Sequence, residues 1–249
     1  MRIIVFSLML CSLASAALPV RYTDLLDFVQ EAPDQGDTAT CLYMGTTGAV
    51  ELLLNKRYNI QSPKKGDMFD ISERYTISER ASYSGTWHTK ALARLNKGEF
   101  IRNSVLPFNA YTENGNNNRN VWNRPRNFND LERVKIQEKF KATKLFIKGR
   151  NRYSKYVVKP GDILAVKEAL VNTGSPVLIN YNHNRWWHVV NIVGFDDQAK
   201  GECLHTPQSE CKSIGGFYVR DSLGKKTHLR SYDWFRVNVN AAFSIEIDE

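Results

Sequence analysis

The chain has 249 residues, 42% hydrophobic and 24% charged, with a formal net charge of +8. That apolar content supports a sizeable core, as one domain or two closely packed lobes, and excludes a low-complexity or disordered chain. Beyond residue 16 no segment approaches the roughly 20 uncharged apolar residues of a membrane span.

In chain order, Met1-Arg2, an apolar run to Leu13 and Ala14-Ser15-Ala16 predict a secretory signal peptide over residues 1–16, cut after Ala16. Cys11 falls inside that run, lacks the small-residue box of a lipidated cysteine and would be discarded with it. The processed chain, Ala17–Glu249, would be secreted or periplasmic. A short lead over 17–33 holds one amphipathic stretch, 22–29. A helix is predicted from Cys41 to about Lys56, capped by Thr40 or Asp37. Gly45 and Gly48 would weaken that helix, so they predict close packing against a neighbour. A Ser/Pro/Lys/Gly loop covers 61–67, and helices are expected over 71–80 and 87–97. Residues 114–129 read as a long loop, 131–141 and 163–170 as helices, and Gly174-Ser175-Pro176 as punctuation. The last third changes character: 177–181, 188–195, 216–220 and 241–247 are rich in β-branched and aromatic residues and read as strands. Helices first and an antiparallel sheet later give an α+β chain.

Cys41 carries the chemistry. It opens a predicted helix, and a thiol at a helix N-terminus feels the positive end of the macrodipole, which favours thiolate. Gln35, six residues earlier, brings a side-chain amide of the kind that stabilises an oxyanion. His188, in Trp187-His188-Val189-Val190, could supply a base. Cys203 and Cys211 bracket a short polar loop, and an exported protein can keep a disulfide there. If they pair, Cys41 is the odd thiol. Between Arg119 and Lys159 thirteen Lys or Arg face three acids. Such a run could attract an anionic surface, although no nucleic-acid-binding motif accompanies it. His88, His183, His205 and His228 show no metal-ligand spacing, so neither metal nor cofactor is expected. Trp122, Trp186 and Trp187 could line a cleft, with buried packing the simpler reading.

Several segments in order resemble the papain-like cysteine peptidases. Gln35-Gly36, Cys41 and Gly48-Ala49-Val50-Glu51 are similar to the family's Gln, Cys and Gly-Ala-x-Glu helix. Ile71-Ser72-Glu73-Arg74-Tyr75 resembles its Leu-Ser-Glu-Gln segment, and Leu106-Pro107-Phe108-Asn109-Ala110-Tyr111 its Tyr-Pro-Tyr-x-Ala turn. Gly174-Ser175-Pro176-Val177 is similar to its Gly-Pro-Val, Trp187–Phe195 to its histidine strand, and Phe217–Gly224 to its strand ending in Asn-Ser-Trp-Gly. His188 follows Cys41 by 147 residues, inside the roughly 130–150 typical of the family.

The resemblance implies a two-lobed fold: a helical lobe over about 34–110, a basic insertion over 114–159 and a β-barrel-like lobe over about 160–249. It also implies Cys41 as nucleophile, His188 as base, Asp221 as the group orienting the histidine, and Gln35 with the Cys41 N–H as oxyanion hole, acting on peptide or protein substrates. The chain departs from the family pattern at Thr40 and Leu42 beside the cysteine, at Asp221 in place of Asn and at Leu223 in place of Trp. The family's extra cysteine near the nucleophile is absent, and only about 18 residues separate the expected cleavage site from Gln35, too few for a long propeptide. These departures leave two alternatives open: a binding module whose chemistry is impaired, and a cysteine-dependent acyltransferase or amidase.

Overall fold

The computed structural model describes residues 17–77, 87–110, 115, 132–147, 158–183, 186–222 and 227–248. The elements, in order, are β1 (Arg21–Tyr22), a 3-10 turn (Leu26–Phe28), α1 (Cys41–Arg57), α2 (Glu73–Thr76), α3 (Trp87–Leu95), β2 (Glu99–Ile101), β3 (Arg133–Lys135), β4 (Lys139–Ile147), α4 (Pro160–Glu168), a π-helical turn (Ala169–Thr173), β5 (Val177–His183), β6 (Trp186–Asp196), a second 3-10 turn (Gln208–Glu210), β7 (Gly216–Arg220), β8 (His228–Ser231), α5 (Tyr232–Asn238) and β9 (Val239–Asp248).

The central helix α1 is buried along its whole length from Cys41 to Asn55. A helix with no polar face belongs inside a protein, and α1 packs on β6, α3 and the middle of the sheet. Its two glycines make that approach possible. A Cβ on Gly45 would fall 2.8 Å from Leu178 Cδ1, and one on Gly48 would fall 1.8 Å from Arg220 Nη1. The Gly45 carbonyl also accepts a hydrogen bond from Asn191 Nδ2 on β6, at 2.8 Å. Thr40 stands at the N-cap, but its hydroxyl pairs with Thr38 Oγ1 at 2.9 Å and caps nothing. Asp37 lies in the turn ahead of it. Lys56 and Arg57 fill the last turn, where cations suit the helix dipole.

An antiparallel sheet of seven strands runs β4-β9-β5-β6-β7-β8, with β1 added on β6. Its central strands are covered on both faces, which is why they read as unbroken apolar runs. Leu178, Val189, Ala241, Phe243 and Ile245 point to the α1 side, among Leu42, Met44, Leu53 and Phe100. Val177, Ile179, Val190, Ile192 and Ala242 point to the other side, against Val166 and Leu170 and against Trp234 and Phe235 of α5. Each such Val, Leu, Ile or Phe side chain taken from water contributes about 1.5–3 kcal/mol. α4 begins at Pro160, suited to a first helical position, and Asp162 accepts from the Lys159 N–H at 2.7 Å. Gly174, at φ 60°, ends the π-helical turn.

Three expected helices are corrected. Residues 132–141 form β3 and the start of β4. Lys139, Lys141 and Thr143 are exposed while Phe140 is buried and Ala142 half-buried, a period of two that belongs to a strand. Residues 71–80 reduce, where described, to the single turn α2, because Ile71 bridges to Arg102 and the Ser72 hydroxyl accepts from Tyr75 N–H. The 163–170 helix starts earlier, at Pro160, and passes into the π-helical turn at Ala169. The lead segment holds β1 and a 3-10 turn. The expected signal segment, Trp122, Leu223, Gly224 and most of the basic run 119–159 lie outside the described residues. Among the described residues no helix is long and apolar enough to cross a membrane.

Candidate active site

Cys41 is the first residue of α1, so its Sγ sits at the helix N-terminus. The loop leading to it is built from short-range bonds. Asp34 Oδ1 accepts from the Gly36 N–H at 2.8 Å, Thr38 Oγ1 donates to the Gln35 carbonyl at 2.7 Å, and the Thr40 carbonyl takes the N–H groups of Tyr43 and Met44. Ala39 is held at φ 56°, a left-handed conformation uncommon for a residue with a Cβ.

The loop is tied across the molecule to the segment after β7. The Gln35 N–H donates to the Ser222 carbonyl at 2.9 Å, and the Ser222 hydroxyl donates to Gln35 Oε1. With its oxygen end engaged, the Gln35 amide has its NH2 left to donate, and Gln35 lines the cleft.

His188 lies on β6 and Asp221 directly follows β7. His188 Nε2 and Asp221 Oδ1 are 2.8 Å apart, and the same carboxylate oxygen accepts the Ser222 N–H at 2.7 Å. Nδ1 is then the ring nitrogen left to meet Cys41, which lines the same cleft. Burial opposes a charged imidazole here. The hydrogen bond to Asp221 and the interactions with Asp221 and Cys41 outweigh it, and the His188 pKa is pushed up to about 9. Burial would likewise raise Asp221, but the bond to His188, its charge and the Ser222 N–H hold that carboxyl below its usual range. The four residues expected from the sequence, Gln35, Cys41, His188 and Asp221, thus come from three separate segments and stand together.

Gln35, Cys41 and His188 border a cavity of about 470 Å³ lined also by Gly36, Asp37, Ala39, His183, Trp186 and Trp187, with Asp221 behind the histidine. Trp186 is 77% exposed, so the expectation of buried packing fails there. A second cavity, of about 480 Å³, is lined by Lys56, Arg57, Lys141, Ser175 and Glu246 and has no cysteine or histidine in its lining. Cys203 and Cys211 are disulfide-bonded, and Cys41 is a free, buried cysteine. Among the described residues no three His, Cys, Asp or Glu side chains are grouped to hold a metal ion.

Sequence reasoning gave no role to Ser222, Tyr181 or His183. Ser222 meets Gln35 across 187 positions. The signal for the other two lies in the β5–β6 pairing, which sets Tyr181 opposite His188.

No protein-family model matches the sequence, and no curated protein matches it. Solved structures do. The cysteine protease and lectin-like domains of Cwp84, a surface layer associated protein of Clostridium difficile, are similar over 93% of this chain and 52% of their own, with a TM-score of 0.56 at 16% identity. Digestive procathepsin L 3 of Tenebrio molitor larval midgut aligns over 95% of this chain and 72% of its own (TM-score 0.55, 15% identity). The bromelain protease from Ananas comosus, solved with an inhibitor, aligns over 93% and 100% (TM-score 0.52, 12% identity). The chain spans about half the length of the Clostridial structures it matches, 58% and 52%. The fold is therefore papain-like and α+β, and the neighbours that share it are cysteine proteases.

Proposed function

We propose that this chain is an exported papain-like cysteine peptidase that hydrolyses peptide bonds through a thioester intermediate. One observation carries the reading: a free cysteine at a helix N-terminus shares a cleft with an imidazole, one nitrogen of which is held 2.8 Å from a buried carboxylate, and with Gln35.

In this reading the Cys41 thiol gives its proton to His188, and the sulfur attacks the scissile carbonyl carbon. The oxygen of the tetrahedral intermediate takes hydrogen bonds from the Gln35 side-chain N–H and the Cys41 backbone N–H. Collapse breaks the C–N bond as His188 protonates the leaving amine. A water then gives a proton to His188 and attacks the thioester carbon, and release of the acid returns the proton to the sulfur. Asp221 keeps the ring oriented and favours its charged form, the role an Asn amide fills by hydrogen bonding alone.

The disulfide and the apolar run ahead of Ala16 support a secreted or periplasmic location. The exposed lysines 139, 141 and 144 of β4 support an anionic surface partner for the basic run, for which salt-sensitive retention on an anionic resin is the check.

Peptide-library cleavage by the purified chain tests the activity. New amine termini from the intact chain and none from Cys41→Ala are expected. No cleavage by either would overturn the reading, and condensation with an added amine in place of hydrolysis would move it to acyl transfer.

A further inference from the structure

The β5–β6 hairpin carries a second imidazole beside the first. Its register sets His183 opposite Trp186 and Tyr181 opposite His188, and directly paired residues project from the same face. The His183 and His188 ring centroids are 5.6 Å apart. Tyr181 lies between them and the core, edge-on to His188 at 5.5 Å and to Trp234 at 5.0 Å. Its hydroxyl is 3.0 Å from His183 Nδ1.

The phenol, kept protonated by burial and by the charge of Asp221, can donate to Nδ1. With Nδ1 accepting, the ring proton of neutral His183 sits on Nε2. A third imidazole braces the other side. His205, on the loop closed by Cys203–Cys211, meets the His183 ring edge-on at 4.6 Å. The next residue of that loop is pinned, with Thr206 Oγ1 accepting from Asn238 Nδ2 at 3.0 Å. His183 is thus a ring braced by Tyr181 and His205, and it lines the cleft that holds Cys41.

We infer that His183 is a substrate-positioning residue, donating its Nε2–H to a backbone carbonyl of the leaving peptide. The inference rests on the peptidase reading above, in which His188 protonates the leaving amine. The wall next to His188 therefore faces the part of the substrate beyond the scissile bond. Trp186, mostly exposed on the same hairpin end, offers that part an apolar platform. The substrate class is a polypeptide continuing past the cleaved bond, in preference to one that ends there.

The test uses two substrates with the same acyl side, taken from a library cleavage site. One extends at least two residues past the scissile bond. The other ends in a 2-naphthylamide, whose leaving amine has no hydrogen-bond acceptor. His183→Ala is expected to lower kcat/KM about tenfold on the extended peptide, the worth of one hydrogen bond, chiefly through KM, and far less on the naphthylamide. His183→Gln, which keeps an N–H donor, is expected to recover most of that loss, and Tyr181→Phe to show a partial loss on the extended peptide alone. An equal loss on both substrates, or none on the extended one, would overturn the inference. If the intact chain cleaves neither substrate, the peptidase reading itself fails and this inference falls with it; Cys41→Ala losing both is the result expected of that reading.

Discussion

Replacing Gly48 by alanine tests how the nucleophile helix is seated. The added Cβ would lie 1.8 Å from Arg220 Nη1 and 2.5 Å from Cζ, so the guanidinium has to leave. Arg220 is buried, its Nε donating to the Gln30 carbonyl at 2.8 Å and its Nη2 to Glu51 Oε2 at 3.3 Å. Breaking a buried ion pair by displacing one partner costs about 3–5 kcal/mol. Replacing a helical glycine by alanine returns about 1 kcal/mol. The net loss is therefore about 3 kcal/mol, which in a chain of this size lowers Tm by about 6–12 °C. Gly45→Ala is the control. Its Cβ meets Leu178 Cδ1 at 2.8 Å and Val189 Cγ1 at 3.1 Å, the ends of side chains that can turn aside. Overpacking of about 1–3 kcal/mol, largely offset by helix propensity, predicts a fall of only a few degrees. Differential scanning calorimetry at pH 7 reads both. A Gly48→Ala variant melting within 2 °C of the parent, or no lower than Gly45→Ala, would refute the reasoning.

Three further outcomes are expected. Asp221→Asn should keep the His188 ring oriented and retain activity within about tenfold, whereas Asp221→Ala should lose on the order of a hundredfold or more; kcat/KM on one cleaved peptide separates them, and equal losses would contradict the orienting role. Glu73 is buried with one carboxylate oxygen unpartnered, and burial beside Glu51 raises its pKa well above the ordinary value. The folded state therefore holds that proton more tightly than the unfolded chain, and the stability it brings is present at low pH and lost as pH rises through the raised value. Glu73→Gln should accordingly match the parent near pH 4 and exceed it by about 2 kcal/mol near pH 9; identical melting curves at pH 9 would sink the idea. Ala39, at φ 56°, should relax when replaced by glycine, with a gain of about 0.5–1 kcal/mol in urea unfolding; a loss of stability would show that the left-handed turn is unstrained.

What the sequence revealed was set by the range over which each signal acts. The helix at Cys41 and the strands β5, β6, β7 and β9 were legible because their apolar runs are continuous and bounded by glycine and proline. The spacing of Cys41, His188 and Asp221 was legible because a chain-order motif survives without its usual neighbours. β4 was misread: Lys139 to Lys144 mixes charged and apolar residues, and only the sheet contact with β9 decides that the period is two. The Gln35–Ser222 tie was invisible because nothing local marks a serine as the partner of a glutamine 187 positions away. The His183–His205 contact was equally hidden. It requires both the hairpin register and the disulfide loop, and neither imidazole has a neighbour in the sequence that suggests the other.

The central claim is the pairing of the Cys41 thiol with the His188 imidazole. Its most direct test is the pH profile of Cys41 alkylation by iodoacetamide, followed by peptide mass spectrometry, with His188→Ala alongside. A free thiol gains reactivity only as pH approaches about 8.5. Since the His188 pKa is pushed up to about 9, its positive charge beside the sulfur persists through neutral pH and is lost as pH rises through that value. The account predicts ready alkylation at mildly acidic pH, and in His188→Ala a profile that returns to that of a free thiol. A Cys41 that reacts only near pH 8.5 in both proteins, or in neither, would contradict it.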